Sequence, residues 1–219
     1  MRVLVVFLMV ASAALPAEGQ VHFAGPYAVV EGGAISYNTQ ITFDGVDDPA
    51  GRGGAGFGAA AGFRWVRGRV VFGPEIILNQ ATVPDPYTFD AAAVGFSELD
   101  LRRALSFGAD FRLGVLLAGR VLPFAALGLS VNHQSERVDG TSLEDVPGGA
   151  SPETFGAVQF GAGAELAFSN HLRARFVLRS LKGIDRTADD FGRALNPALN
   201  RFDVEPRQIQ FFSGMVLQL

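Results

Sequence analysis

The sequence predicts an all-β protein, an eight-stranded antiparallel up-and-down transmembrane β-barrel with short periplasmic turns and long extracellular loops. Three observations support this fold class. Apolar residues recur at every second position through successive segments, which is the period of a β-strand. The connections between these segments alternate between short and long. The polar face of the segments carries arginine as its cation, the residue suited to buried carboxylate pairs.

The first residues of the chain have the pattern of an export signal. A charged start is followed by the apolar run Val3–Val10 and then by small residues. This order predicts a signal peptide over residues 1–17, cleaved after Ala13 or Ala17. A membrane anchor helix would need about 20 apolar residues, and Pro16 comes too early for that. The mature protein is therefore expected outside the cytoplasm, as a soluble domain or as a membrane β-barrel.

A single domain is predicted over residues 27–219, after a short N-terminal segment over residues 18–26. Its first three strands are predicted at residues 27–37, 54–65 and 69–79. The period-two pattern begins in the first of them. In the second and third, apolar side chains alternate with glycine and charged residues, and a short turn makes the two a hairpin.

The fourth strand is predicted at residues 99–117, where the alternation lasts longest. Asp110 and Arg112 lie on its polar face. A helix over Glu98–Leu105 is the alternative for the first part of this segment. The fifth strand, residues 121–135, follows after another short turn.

The last three strands are predicted at residues 155–168, 172–179 and 207–219. In the first of them the even positions are apolar and the odd positions are small or charged, and the next strand repeats this rule. The last strand has apolar residues at its odd positions. The total is eight strands, the number at which side chains fill the interior of a closed barrel.

Connection lengths orient the predicted barrel. The connections after strands two, four and six are about three to five residues long, which is the hairpin range. The other four are much longer and cover residues 39–53, 80–98, 136–154 and 184–205. Outer-membrane barrels show the same asymmetry, with turns in the periplasm and loops outside the cell.

Alternation alone allows either a soluble lipocalin-like carrier with an apolar interior or a membrane barrel with an apolar exterior. The charged face has Gly, Ala and Ser between its charges, which suits a crowded lumen. A water-exposed face would normally include several lysines, but the chain has one. The apolar face is rich in Phe and Leu, and an apolar face is repeated on every strand. These features predict the membrane barrel.

The charged side chains expected inside the barrel are carboxylates and arginines. They are Glu31, Glu75, Asp110, Glu165, Arg64, Arg112, Arg173, Arg175 and Arg179. An isolated buried charge costs several kcal/mol, so these groups are predicted to pair with each other or to retain water. The set could line an ion conduit or form a plug of ion pairs. Eight strands leave little open lumen, which favours the plug.

Several short sequences resemble the outer-membrane β-barrel domain family, small eight-stranded surface proteins that are similar to the OmpA transmembrane domain. They are Gly25-Pro26-Tyr27, Gly62-Phe63-Arg64-Trp65 with Gly73-Pro74-Glu75, Arg120-Val121-Leu122-Pro123-Phe124-Ala125 and Gly161-Ala162-Gly163-Ala164-Glu165. The resemblance spans residues 25–219. It implies a bacterial outer-membrane location, export through the signal peptide and a structural or surface-interaction role. Family members typically end in an aromatic residue, whereas this chain ends in Leu219.

A second resemblance concerns His133 and Ser135, at the loop end of the fifth predicted strand. The pair is similar to the His-x-Ser pairing of the outer-membrane lipid A deacylase family, in which the histidine activates the serine. Glu136 or Glu144 could orient the histidine. The asparagine that follows the serine in that family is missing here. The prediction is therefore a non-enzymatic protein, with a lipid A acyl-ester hydrolase as the alternative.

The four long connections are acidic. They hold 16 Asp or Glu and 5 Arg, so their net charge is 5 − 16 = −11. Divalent cations bound beside lipopolysaccharide phosphates are one interpretation, and loop solubility is the favoured one. Outer-membrane lipid and lipopolysaccharide are the expected partners. No spacing matches an EF-hand loop, and neither a metal site nor a cofactor is predicted.

Composition excludes further classes. The chain has no cysteine, so it cannot form disulfides, thiolate metal sites or a cysteine nucleophile. Its formal charge is −4 and its arginines are dispersed, so nucleic acid is not a predicted partner.

Overall fold

The computed structural model describes residues 23–43, 46–82, 87–88, 98–138, 141–142, 153–183, 186–187, 202–205 and 207–219. The predicted signal peptide, residues 1–17, lies outside these ranges. Regular structure within them consists of β-strands. Over the same ranges, no helix is long and apolar enough to cross a bilayer.

Eight long antiparallel strands build the fold. They are β1 (Gly25–Phe43), β2 (Val46–Arg67), β3 (Val70–Thr82), β4 (Glu98–Val115), β5 (Val121–Val138), β6 (Glu153–Ala167), β7 (Leu172–Gly183) and β8 (Arg207–Gln218). Short strands add to the ladder at the loop end, and they are Tyr87–Thr88, Thr141–Ser142, Arg186–Thr187 and Phe202–Glu205.

Each long strand pairs with the next, and β8 pairs with β1, so the sheet closes on itself. The closing register runs from Tyr27 opposite Gln218 to Tyr37 opposite Gln208. A closed ring satisfies the backbone hydrogen bonds of every strand, which a bilayer requires. The predicted eight-stranded antiparallel barrel is confirmed.

Two predictions about strand limits are wrong. The connection predicted over residues 39–53 is mostly strand, because β1 continues to Phe43 and β2 begins at Val46, its register partner. The alternative helix over Glu98–Leu105 is strand as well, paired with β5. Backbone hydrogen bonds between strands need a neighbouring strand but do not need apolar side chains. Strand pairing therefore continues beyond the point where the apolar pattern ends.

The two faces of the barrel differ in chemistry. Large apolar side chains cover the outside; Leu129, for example, is 65% exposed. The interior holds buried glutamate, arginine, asparagine and glutamine side chains. This distribution excludes the soluble lipocalin-like carrier, whose apolar side chains would line the inside.

Apolar clusters also lie inside the barrel, and β1 contributes most to them. Tyr27, Val29 and Ile35 of this strand point inward and are buried. One cluster is formed by Tyr27, Val29, Ala60, Ile77 and Val216. A second is formed by Ile35, Phe124, Val177 and Phe212. Apolar groups therefore fill part of the bore between the charged groups.

Candidate functional site: a charged network across the barrel interior

Seven of the nine charged residues expected inside the barrel take part in ion pairs. They are Glu31 on β1, Arg64 on β2, Glu75 on β3, Arg112 on β4, Glu165 on β6, and Arg175 and Arg179 on β7. Strand alternation turns each of them toward the barrel axis, where every one is buried. We call this set the lumen network.

Glu75 is the centre of the lumen network. Arg175 donates two hydrogen bonds to its carboxylate, at 2.9 Å from Nη1 and 2.7 Å from Nη2. The Tyr27 hydroxyl donates a third at 2.8 Å. Nη2 of Arg112 lies 2.5 Å from Oε1 of Glu75, but the contact lacks hydrogen-bond geometry. We therefore regard Arg112–Glu75 as an ion pair, weaker than the two-pronged bond from Arg175.

Glu165 forms the second centre. Its Oε1 accepts a hydrogen bond of 2.6 Å from Nη2 of Arg64. Nη1 of Arg112 lies 4.0 Å from the same oxygen, so Arg112 links the two carboxylates. The Arg64 guanidinium lies 3.7 Å above the Tyr27 ring, which adds a cation–π contact.

Glu31 continues the network toward β1. Nη1 of Arg179 donates to it at 2.5 Å, and Nε of Arg175 lies 3.8 Å from its other oxygen. Arginines and carboxylates therefore alternate without a break from Glu165 through Arg112, Glu75 and Arg175 to Glu31.

Two of these contacts cross the full width of the barrel. Glu75 on β3 and Arg175 on β7 belong to strands four apart in a ring of eight, as do Arg64 on β2 and Glu165 on β6. Such strands face each other across the axis. Long arginine side chains therefore bridge the bore at two places.

The remaining two charges lie beside the network. Asp110 accepts a hydrogen bond from the amide of Gln159. Arg173 donates to Oε1 of Gln218 at 2.8 Å and stacks 4.3 Å above the Phe23 ring. With four carboxylates and five arginines ionised, the interior carries −4 + 5 = +1.

One small cavity lies beside the lumen network. A cavity of about 10 Å³ is bordered by Arg64, Arg112 and Glu165, which is room for roughly one water molecule. Apolar side chains, including Val71 and Leu122, complete its wall.

Several residues that contact the charged side chains were not among the site residues selected from the sequence, and they are Phe23, Tyr27, Phe124, Gln159, Phe212 and Gln218. All but Phe23 lie on strands, where alternation along β1, β5, β6 and β8 places them inside. Phe23 precedes β1, where no strand pattern exists to count.

The residues of the alternative hydrolase site lie on β5. His133 is exposed on the outer face near the loop end, opposite Leu105 and Thr154 in register. The backbone of Ser135 and Glu136 continues the same strand. The structure describes the backbone of these two residues but not their side chains. Glu144 is outside the described residues altogether. No group of three or more His, Asp or Glu suited to a metal ion occurs within the described ranges.

A closed barrel with an apolar exterior and a charged interior defines a membrane-spanning β-barrel protein of the outer-membrane type. The sequence matches the family model for the outer membrane protein β-barrel domain over residues 3–204. The chain therefore belongs to that family, which places it in the bacterial outer membrane.

Several solved structures of outer-membrane proteins are similar to this chain. Neisserial surface protein A is 14% identical, with 89% of this chain and 99% of that chain covered and a TM-score of 0.51. OprG from Pseudomonas aeruginosa is 13% identical, with coverages of 92% and 100% and a TM-score of 0.48. The outer membrane protease OmpT from Escherichia coli is 9% identical, with coverages of 93% and 100% and a TM-score of 0.41. At these identities the likeness concerns the fold alone. A search of curated proteins found no match.

Proposed function

We propose that this protein is a non-enzymatic outer-membrane barrel with a plugged lumen, which holds acidic loops at the cell surface in a structural or surface-interaction role. The observation that carries the proposal is the pair of contacts across the full width of the bore, Glu75–Arg175 and Arg64–Glu165. Ionic groups that neutralise each other in a narrow bore leave no path for hydrated ions.

Planar-bilayer conductance tests the plug. The purified wild-type barrel is expected to give no stable conductance steps. The double variant Glu75→Ala/Arg175→Ala removes one bridge across the bore and is expected to give small, flickering steps. Ser180→Ala, on the outer face of β7, is the matched control and should behave as wild type. Stable large steps from the wild-type protein would overturn the proposal.

Contact with the phosphates of outer-leaflet lipopolysaccharide is part of this proposal. Lys182 and Arg207 are register partners and are exposed on the outer face of β7 and β8. Lys182 is ten residues beyond Leu172 at the turn end. At about 3.3 Å per residue and a tilt of about 40°, that separation is about 25 Å, the height of the apolar band. The two cations therefore lie level with lipid headgroups at the loop end.

Native mass spectrometry of the protein in detergent with added lipid A tests this contact. The variant Lys182→Gln/Arg207→Gln is expected to bind bisphosphorylated lipid A roughly thirtyfold less, because each of the two cations near an anionic surface contributes about 1 kcal/mol. The control Arg67→Gln/Arg69→Gln removes the same charge at the turn end and should retain binding. Equal binding by both variants would contradict the contact.

The hydrolase alternative depends on one observation, the exposure of His133 on the outer face near the loop end. A histidine there could reach an ester in the outer leaflet. Mass spectrometry of lipid A after overexpression decides between the two functions. A loss of acyl chains that disappears in Ser135→Ala would establish the hydrolase, and unchanged acylation would eliminate it.

A further inference from the structure

A short segment before β1 folds back into the barrel at the turn end. Phe23, the first described residue, is buried inside the bore. It clusters with Val71 of β3, Leu122 of β5 and Ala167 of β6, and the guanidinium of Arg173 on β7 covers its ring. Side chains from four strands therefore surround one phenyl ring.

The backbone around Phe23 is held by the end of the chain. The amide of Gln218 donates to the carbonyl oxygens of Ala24, at 3.0 Å, and Pro26, at 2.7 Å. The same side chain accepts the hydrogen bond from Arg173. Gly25 has a φ of 104°, a conformation that favours glycine and lets the segment turn inward. Gln218 thus links the segment before β1 to β7 and β8.

We propose that residues 23–26, the two residues before β1 and the first two of β1, are a periplasmic stopper, which closes the turn end of the barrel and keeps periplasmic water from the lumen network. Val71 and Leu122 line both the Phe23 cluster and the cavity beside Arg64, Arg112 and Glu165. Phe23 therefore lies between the periplasm and those charges. Exclusion of water strengthens the ion pairs above it, because the local dielectric constant is lower.

The stopper also depends on contacts with several strands of the barrel. Residues 23 and 24 precede β1 and form no strand pairs. Phe23 contacts side chains of β3, β5, β6 and β7, and Gln218 of β8 holds its backbone. In the closed barrel these surfaces adjoin one another, so the docked stopper depends on the ring that β8 and β1 close. This inference deepens the proposed plugged lumen and rests on it.

Thiol labelling of the folded barrel in detergent tests the stopper, and the natural chain has no cysteine to interfere. Val71→Cys places a thiol within the Phe23 cluster. Asn170→Cys, in the exposed β6–β7 turn, is the matched control for access of the reagent at the same end. A charged, membrane-impermeant thiol reagent is used, and heat-modifiable migration verifies that each variant is folded.

The thiol at position 71 is expected to react much more slowly than the thiol at position 170. Adding Phe23→Ala should raise its rate at least about tenfold, because labelling follows the population of the open end. Gln218→Ala should raise it less, since the ring is retained. If Phe23→Ala fails to fold, Phe23→Leu and Gln218→Ala serve as the openers. Equal rates at positions 71 and 170 in the parent protein would overturn the stopper, as would protection unchanged in every folded opener.

The labelling result and the conductance result separate the two proposals. If the thiol at position 71 stays protected from labelling after Phe23→Ala, and the wild-type protein gives no conductance, the stopper proposal is wrong and the plug proposal stands. Stable wild-type conductance removes the plug whatever the labelling shows.

Discussion

Glu75→Gln removes the central carboxylate of the lumen network while keeping the volume of the side chain. Arg175 then keeps at most one of its two hydrogen bonds, to the remaining amide oxygen, and Arg112 loses its closest carboxylate. Breaking a buried ion pair from one side costs about 3 to 5 kcal/mol, since the remaining charge stays buried without compensation. The folding equilibrium constant is expected to fall by roughly two to three and a half orders of magnitude.

Urea unfolding in phospholipid vesicles measures this change. Trp65, the single tryptophan, is half exposed on the outer face and contacts the rings of Phe63 and Phe72 at 5.1 and 5.7 Å. Its fluorescence therefore reports the transfer of β2 from lipid to water. The unfolding midpoint should shift to lower urea in Glu75→Gln.

A double variant identifies the cause of that shift. Glu75→Gln/Arg175→Met also removes the cation that faces Glu75 across the bore, and should recover part of the lost stability, since a well-packed apolar replacement of a buried ion pair is often neutral. A loss below about 1 kcal/mol in Glu75→Gln would refute the reasoning, because that is the value of an exposed pair. A double variant less stable than Glu75→Gln would refute it as well.

Two further pairs of substitutions test the packing and the orientation of the barrel. Gly62→Ala should lower the free energy of unfolding by about 1 to 3 kcal/mol, because the new Cβ would lie 2.5 Å from the Tyr27 hydroxyl. Gly53→Ala is the control, since its new Cβ meets nothing within 4 Å. Equal urea midpoints for the two variants would contradict the close approach of Gly62 to Tyr27. Leu127→Arg, at the middle of the outer face of β5, should cost about 2 to 4 kcal/mol, and His133→Arg near the loop end about 0 to 1 kcal/mol. Equal costs for these two would mean that β5 does not cross the bilayer as described.

The bridge across the bore shows why pairing could not be read from the sequence. Glu165 and Arg175 are register partners on neighbouring strands, and a local rule would pair them with each other. The structure instead gives Glu165 the guanidinium of Arg64 and gives Arg175 the carboxylate of Glu75. These partners are 101 and 100 residues apart in sequence. Their contact depends on closure of the ring, which places β2 opposite β6 and β3 opposite β7.

Strand limits at the loop end were equally hidden. The apolar pattern ends where β1 and β2 leave the apolar band, yet their ladder continues to the pair Phe43 and Val46. Backbone hydrogen bonds between two neighbouring strands need no apolar side chains. Periodicity therefore reports the part of a strand that faces lipid and does not report the whole strand.

The sequence by itself determined which face of each strand is apolar and which charges point inward, because alternation is a local property of an extended chain. That was enough for the eight-stranded barrel and for the inward direction of Glu31, Glu75 and Arg175. Only the tertiary structure decided which charges meet, and that Phe23 enters the bore from outside the strand pattern. Both depend on distances between strands far apart in sequence, and closure of the barrel fixes those distances.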